Sequence, residues 1–274
     1  MENTIPVIIP YYKNQDYLDR CIAHLDKQSI KTEIFVRDNS IENVHFTRAI
    51  NEGIRKYLNH PCEYILILNQ DMYLEPDAIE TMLRFMESNQ RCGICSPLQL
   101  SLKNSDFVIF GGGEDVFPVG KHSHGWLSEF DENKKVKWTN GTCMMLKKKM
   151  IREIGLLDEN FVFLASDSDY CFTARARGWE IWIVVGARGI HQQGESGNIA
   201  EVNLELLKVS DMYYFGKKWL TCLLYSELTS SGNYSDPRNI SDIMSTLLDT
   251  KIELESLSRH YSVSIGTKDP RNIF

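Results

Sequence analysis

The chain has 274 residues, 43% of them hydrophobic and 24% charged, with a formal net charge of -7 and an isoelectric point near 5.6. This length and balance build a large buried core and exclude a disordered chain, and the acidic balance excludes a general nucleic-acid binder, which needs a basic face against phosphate. No window approaches the apolar length of a membrane-spanning helix, and the first residues lack the basic-then-apolar pattern of a secretory leader. Seven cysteines, at 21, 62, 92, 95, 143, 171 and 222, are an odd number set mostly in apolar segments. They read as reduced, buried thiols and predict a cytoplasmic protein.

Residues 4–10 (TIPVIIP) form an apolar, β-branched run closed by proline, the pattern of a buried strand. Leu18, Ile22 and Leu25 follow at helical spacing after Asp16, a capping-type residue. Residues 33–36 (EIFV) predict a second strand that ends in Arg37-Asp38-Asn39-Ser40, so the segment reads as a βαβ unit. Asp38 then falls at a strand's carboxyl end, where it serves either a ligand or an Asx turn. A helix with Ile50, Ile54 and Tyr57 on one face leads to residues 64–71 (YILILNQD). The unbroken apolar run 64–68 is the signature of a strand covered on both faces. It stops abruptly at Asn69-Gln70-Asp71, which places an amide pair and a carboxylate at the rim where open α/β sheets bind ligands. Asp71 there suits a hard divalent cation, or else simply opens the turn before Pro76. Pro76 fits the first turn of a helix that carries Ile79, Leu83 and Met86 inward. The alternation of strands and helices predicts a doubly wound α/β nucleotide-binding half.

The Cys92-Gly93-Ile94-Cys95 motif runs into a strand rather than opening a helix, and no second ligand pair follows it, so it is read as structural. The triple glycine 111–113 lacks a phosphate-binding fingerprint, and His122 and His124 are read as solvated loop residues. Residues 138–146 (WTNGTCMML) resume a buried strand in which Gly141 marks a close approach of ligand or backbone. Lys147, Lys148 and Lys149 are expected on a solvated helix face, and Gly155 ends that helix. Residues 161–170 (FVFLASDSDY) pass from apolar to acidic: Ser166 and Asp169 match a capping box, while Asp167 is left over as a candidate general base. Residues 180–185 (EIWIVV) predict a strand, with His191 just past its end, where an imidazole could join Asp71 around a metal. Helices are expected over 202–225 and 241–261, separated by a polar loop at 226–239; Tyr213, Tyr214, Phe215 and Trp219 beside Lys217 and Lys218 read as core packing, with peripheral membrane association as the other reading.

Taken as an ordered set, Pro10-Tyr11-Tyr12, residues 36–40 (VRDNS), the stretch with Phe46, Asn51 and Gly53, residues 68–71 (LNQD), Gly141 through Gly155 to Asp167 and Asp169, and residues 191–196 (HQQGES) resemble the inverting family 2 glycosyltransferases, nearest the rhamnosyltransferase-like group. The resemblance implies a GT-A fold, a mixed α/β sheet flanked by helices, over residues 1–200, with a helical extension over 201–274. It implies that Pro10, Tyr11, Tyr12, Asp38, Asn51, Asn69, Gln70 and Gly141 serve the nucleotide and substrate, and that Asp71 and His191 hold Mg or Mn. Asp167, or its neighbour Asp169, would deprotonate an acceptor hydroxyl. The partners implied are a nucleotide-sugar donor, dTDP-rhamnose or a UDP-sugar, and a saccharide or lipid-linked saccharide acceptor in cell-surface polysaccharide synthesis. Three positions depart from the family pattern: Asn69 stands for a first aspartate, Ser166 for a glutamate, and His45 for a glycine. A catalytically inactive saccharide-binding homologue and a nucleotidylyltransferase are the competing readings. The second would need a glycine-rich basic loop after the first strand, where Tyr11-Tyr12-Lys13-Asn14 stands instead.

Overall fold

The computed structural model describes residues 4–114, 122–192, 204–230 and 237–260. Contacts divide the chain into two compact units, one of Met1–Asp158 with Asp167–Asn198 and one of Glu159–Ser166 with Ile199–Phe274.

The first unit carries β1 (Ile5–Tyr11), α1 (Gln15–Leu25), β2 (Thr32–Asp38), α2 (His45–Tyr57), β3 (Tyr64–Leu68), β4 (Met72–Leu74) and α3 (Ala78–Ser88). It continues with β5 (Cys92–Ser101), β6 (Phe107–Phe110), β7 (Gly125–Trp126), β8 (Lys134–Val136), β9 (Cys143–Lys147), α4 (Lys148–Ile154), α5 (Ser166–Ala176, whose first residue groups with the second unit) and β10 (Glu180–His191). The sheet path is β2-β1-β3-β9-β5-β10-β4. β2, β1 and β3 are parallel, as the βαβ reading requires, and β5 and β10 are parallel to each other. Between these groups β9 is antiparallel to both β3 and β5, and β4 closes the path antiparallel to β10. The sheet is therefore mixed and flanked by helices.

β3 earns its central place by composition: Ile65, Leu66, Ile67 and Leu68 are each at most 1% exposed. Burying such a side chain stabilises the fold by about 1.5–3 kcal/mol. Cys21, Cys62, Cys92, Cys95, Cys143 and Cys171 are free and buried, which makes the Cys92–Cys95 pair part of the core.

Several local expectations are corrected. Asn14, not Asp16, caps α1, its side chain accepting from Tyr17 N, and α3 begins at Ala78, after Pro76 rather than around it. Of residues 138–146 only those from Cys143 on are strand, and β10 runs through His191 instead of ending at 185, absorbing a register shift between Val184 and Arg188. The lysines are the largest surprise. Lys147 and Lys148 are 5% and 0% exposed and point to opposite sides of the sheet, as successive strand-end residues must. Lys147 Nζ donates to the carbonyls of Met86, Asn89 and Gln90 at the end of α3, and Lys148 Nζ to those of Leu58 and His60 at the end of α2. Cations are favoured at helix C-termini, where carbonyls lack intrahelical partners, so each lysine fastens one helix to the sheet. Burial pulls both ammonium pKa values below the ordinary lysine value.

The second unit contains α6 (Leu204–Ser230) and α7 (Pro237–His260). α6 runs past residue 225 into the expected polar loop, of which 231–236 lie outside the described residues. Phe215 is fully buried and packs with Tyr214 against Phe161, so this part of the aromatic cluster is core packing. No helix among the described residues is long and apolar enough to cross a membrane.

Candidate active site

The rim of the parallel strands is built first by backbone. β1 ends at Tyr11, and Lys13 and Asn14 then take left-handed conformations, with φ of 40° and 95°, that turn the chain into α1. Gln70 clasps this turn with both ends of its amide: Oε1 accepts from Tyr12 N at 2.8 Å and Nε2 donates to Tyr12 O at 3.1 Å. Gln70 thus ties the ends of β1 and β3 together. Pro10 and Tyr11 pair with Arg37 and Asp38 in the neighbouring strand. Asp38 is exposed at the end of β2, and its Oδ1 accepts from Ser40 N at 2.7 Å, which is an Asx turn; that bond holds its pKa below the usual carboxylate value. Ser40 Oγ in turn accepts from Lys13 N at 3.0 Å, so the two rim loops are joined.

Asp71 and His191 meet because β4 and β10 are in register. Met72 pairs with His191, and Gln192 N donates to Asp71 O at 3.0 Å. Asp71 Oδ2 then lies 3.5 Å from His191 Nε2, with side chains 11% and 13% exposed. Gln192 is fixed by Tyr73 OH, which donates to its Oε1, and by its own Nε2, which donates to Tyr17 OH. Beneath them burial, and then the Asp71 charge, push the Cys21 thiol up to about 12. His191 Nδ1 is buried without a hydrogen-bond partner. Orphaning such an atom costs on the order of 1–3 kcal/mol; the ring nitrogen that faces Asp71 is the other one, Nε2. A carboxylate oxygen and an imidazole nitrogen fit Mg or Mn as a partial shell, and Asn69 stands two residues before Asp71 on the same rim. Among the described residues no group of three or more His, Cys, Asp or Glu converges. Residues 193–196 of the closing motif lie outside the described residues.

The acidic half of the site is set by the loop before β9. Thr139 Oγ1 donates to Ser96 Oγ and Ser96 Oγ to Cys143 O, while Gln99 Nε2 donates to Asn140 Oδ1 at 2.6 Å, so β5 fixes the loop. Gly141 N then donates to Asp167 Oδ2 at 2.6 Å, and Ser168 N to Asp167 Oδ1 at 2.7 Å. The glycine is required: a Cβ there would come within 2.5 Å of Phe46 Cζ and 3.4 Å of Asp167 Oδ2. Desolvation raises the Asp167 carboxyl above its ordinary pKa, against the lowering effect of these N–H donors. Asp169 is 2% exposed. Of the pair, Asp167 keeps the greater access to solvent.

One expected pocket residue is misplaced by the sequence. Asn51 is 0% exposed, its Nδ2 donating to Leu157 O at 2.9 Å and its Oδ1 accepting from Leu157 N at 3.0 Å. It fastens α2 to the Gly155–Asp158 turn and has no surface to offer a nucleotide. His45, by contrast, sits at φ 59°, in the left-handed region that favours the glycine of the resembled family and that histidine adopts more readily than most residues. His122 and His124 fall beside Gly111 and Lys134 in a separate cleft of about 430 Å³, away from the Asp71–His191 pair along β10.

The mixed sheet flanked by helices is the GT-A fold. No family model matches the chain. The chain is similar to a dTDP-rhamnosyl transferase of Shigella flexneri, with 22% identity over 231 residues, 77% of each chain. It is similar to a low-salt glycan biosynthesis hexosyltransferase of Haloferax volcanii, with 24% identity over 219 residues, 70% of this chain and 68% of that one. It also matches an N-acetylglucosaminyl-diphospho-decaprenol L-rhamnosyltransferase of Mycobacterium tuberculosis, with 20% identity over 148 residues, 49% of this chain and 48% of that one. In structure it is similar to GalNAc-T7 solved with UDP, GalNAc and Mn2+, at a TM-score of 0.56 and 10% identity, over 78% of this chain and 47% of that one. That likeness shows the fold; the sequence relatives are glycosyltransferases and support glycosyl transfer. The rhamnosyltransferase-like resemblance drawn from the motifs is matched by the sequence relatives, and the GT-A fold that it implies by the solved structure.

Proposed function

We propose that the chain is a metal-dependent inverting glycosyltransferase that moves a sugar from a nucleotide-diphosphate donor to a saccharide or lipid-linked saccharide acceptor in polysaccharide synthesis, with residues 1–200 as catalytic domain and 201–274 as helical extension. The observation that carries this reading is the pairing at one strand rim of Asp71 with His191, together with a separate, desolvated carboxylate, Asp167, held by the Gly141 loop. A departing diphosphate needs positive charge, and an attacking hydroxyl needs a base, and these are two sites rather than one.

Asp71 and His191 would hold Mg or Mn, which when bound neutralises the charge on the leaving diphosphate. The joined rim loops at Tyr12, Asp38 and Ser40 would receive the nucleoside. Asp167 would take the proton of the acceptor hydroxyl as that oxygen attacks the anomeric carbon and the carbon–phosphate oxygen bond breaks. Gly141 N donates to Asp167 Oδ2, and Ser168 donates to Oδ1 through both its N–H and its Oγ, so the base is oriented by donors on both oxygens. A raised pKa makes the carboxylate a stronger base than an ordinary aspartate. Asp169, 2% exposed, is the weaker candidate for that step. One displacement inverts the anomeric centre. The likeness to the dTDP-rhamnosyl transferase of Shigella flexneri favours dTDP-rhamnose as donor, with UDP-hexoses next.

The test is incubation with dTDP-rhamnose, UDP-glucose or UDP-GalNAc, Mn, and a panel of alkyl glycosides, read by NMR of the product's anomeric configuration. Mn-dependent transfer with inversion supports the proposal. Transfer with retention would overturn the mechanism, and nucleotide binding without turnover of any donor would favour the inactive homologue.

A further inference from the structure

α6 carries a buried carboxylate that none of the steps above uses. Asp211 is 0% exposed, and its oxygens accept three consecutive backbone N–H groups: Val162 N at 3.2 and 3.1 Å, Phe163 N at 2.7 Å and Leu164 N at 2.8 Å. Three convergent amides make a concavity selective for an anion, and here the chain's own carboxylate fills it. Hydrogen bonds to an ionised acceptor are the strong kind, and a buried charge is tolerated only when so satisfied. The rest of the segment is fastened to the same helix: Phe161, fully buried, packs against Tyr214 and Phe215, Asn160 Nδ2 donates to Tyr214 OH, and the Lys208 ammonium lies over the Phe163 ring.

This clamp acts on the residues that lead directly into the candidate base. After Leu164 the chain turns through Ala165, a buried non-glycine residue at φ 66°, and α5 begins at Ser166 with Asp167 as its second residue. A left-handed alanine is strained by itself and persists only where its neighbours are held on both sides. Asp211 holds the preceding side, and helix α5 the following one.

We propose that Asp211 is a positioning residue for Asp167, fixing the 162–164 segment so that the carboxylate enters α5 aimed at the Gly141 amide and the acceptor; the inference rests on the reading of Asp167 as the base. It gives the helical extension a part in the reaction, through the direction of a group that meets the acceptor. Sequence alone conceals this, because a lone aspartate inside a helix whose partners are backbone amides leaves no motif.

The test is Asp211→Asn, which keeps the shape but loses the charge, followed in 15N-labelled protein and in transfer assays. The prediction has three parts. The amides of Val162, Phe163 and Leu164 exchange about tenfold faster or more. The Gly141 amide resonance moves while Mn-dependent dTDP or UDP affinity stays unchanged. kcat falls about tenfold or more with donor KM unchanged. Faster exchange with an unmoved Gly141 resonance and unchanged kcat would overturn the proposal, as would a loss of kcat accompanied by an equal loss of nucleotide affinity. If the wild-type protein transfers no sugar, the proposed function fails by itself, and the Gly141 resonance still decides whether Asp211 sets Asp167. Should Asp211→Asn not fold, Asp211→Glu, which keeps the charge and displaces it by one methylene, is expected to move the same resonance.

Discussion

Asp71 Oδ2 lies 3.5 Å from His191 Nε2 because β4 and β10 run antiparallel with Met72 opposite His191. The pairing depends on Gly189, where an added Cβ would come within 2.6 Å of Met72 Cε and 2.9 Å of the Tyr73 carbonyl. Backbone cannot yield as a flexible side chain does, so Gly189→Ala should spread the two strands and separate the acid from the imidazole. Mn-dependent nucleotide affinity is expected to fall about tenfold, as a misplacement of this kind can cost that much or more. Calorimetric titration of the variant checks it, and unchanged affinity would show that the ladder does not set the pair.

Asp167→Asn should keep nucleotide binding and lose transfer. Its effect on stability has a definite sign. Burial raises the folded-state pKa of this carboxyl above the unfolded value of about 3.9, so the folded protein binds the extra proton. Stability therefore falls as pH rises from the unfolded pKa through the folded one, and above both the wild type carries the full penalty. Asp167→Asn removes it. The variant should melt at or above the wild-type temperature at neutral pH, with the difference shrinking below the ordinary aspartate range. The acidic limb of the wild-type rate profile should also lie above that range, since the base must be ionised. A variant less stable at neutral pH than in acid, relative to wild type, would contradict the desolvation argument.

Gly141→Ala should drive its new methyl group into Phe46 and crowd Asp167. Transfer is expected to fall about tenfold or more. Adding Phe46→Leu, which vacates the contacted ring edge, should recover most of the loss, a coupling that a double-mutant cycle measures directly. Additive losses would mean that the glycine acts through something other than Phe46.

Asn51→Ala distinguishes a structural amide from a pocket residue. Both ends of the Asn51 side chain are bonded to Leu157 backbone, so truncation leaves a buried N–H and C=O without partners. A cost of about 2–4 kcal/mol is expected from two such losses, read from urea denaturation. Nucleotide affinity of the folded fraction should not change; a selective loss of affinity would return Asn51 to the donor site.

The fold was legible where burial leaves a local mark. The runs at 5–9 and 64–68 announce strands covered on both faces, and the abrupt change at Asn69 locates the rim. β9 was legible as a strand but not as antiparallel to its neighbours, because both of its faces are buried and a parallel strand would read the same. Lys147 and Lys148 read as solvated since nothing near them in sequence shows the helix ends that they reach, 57 to 61 and 88 to 90 positions away. Asn51 misled for the same reason: its partner is 106 positions distant. Asp71, Asp167 and Gly141 were visible as types and positions, but the register that joins Asp71 to His191 and the amide that holds Asp167 exist only in three dimensions.

The most direct measurement is calorimetric titration of the wild-type chain and of Asp71→Ala with dTDP, UDP and GDP, each with and without Mn. The account predicts that one nucleotide binds the wild type only when Mn is present and that Asp71→Ala binds none of them. Equal affinity with and without Mn, or undiminished Mn-dependent binding in Asp71→Ala, would contradict it.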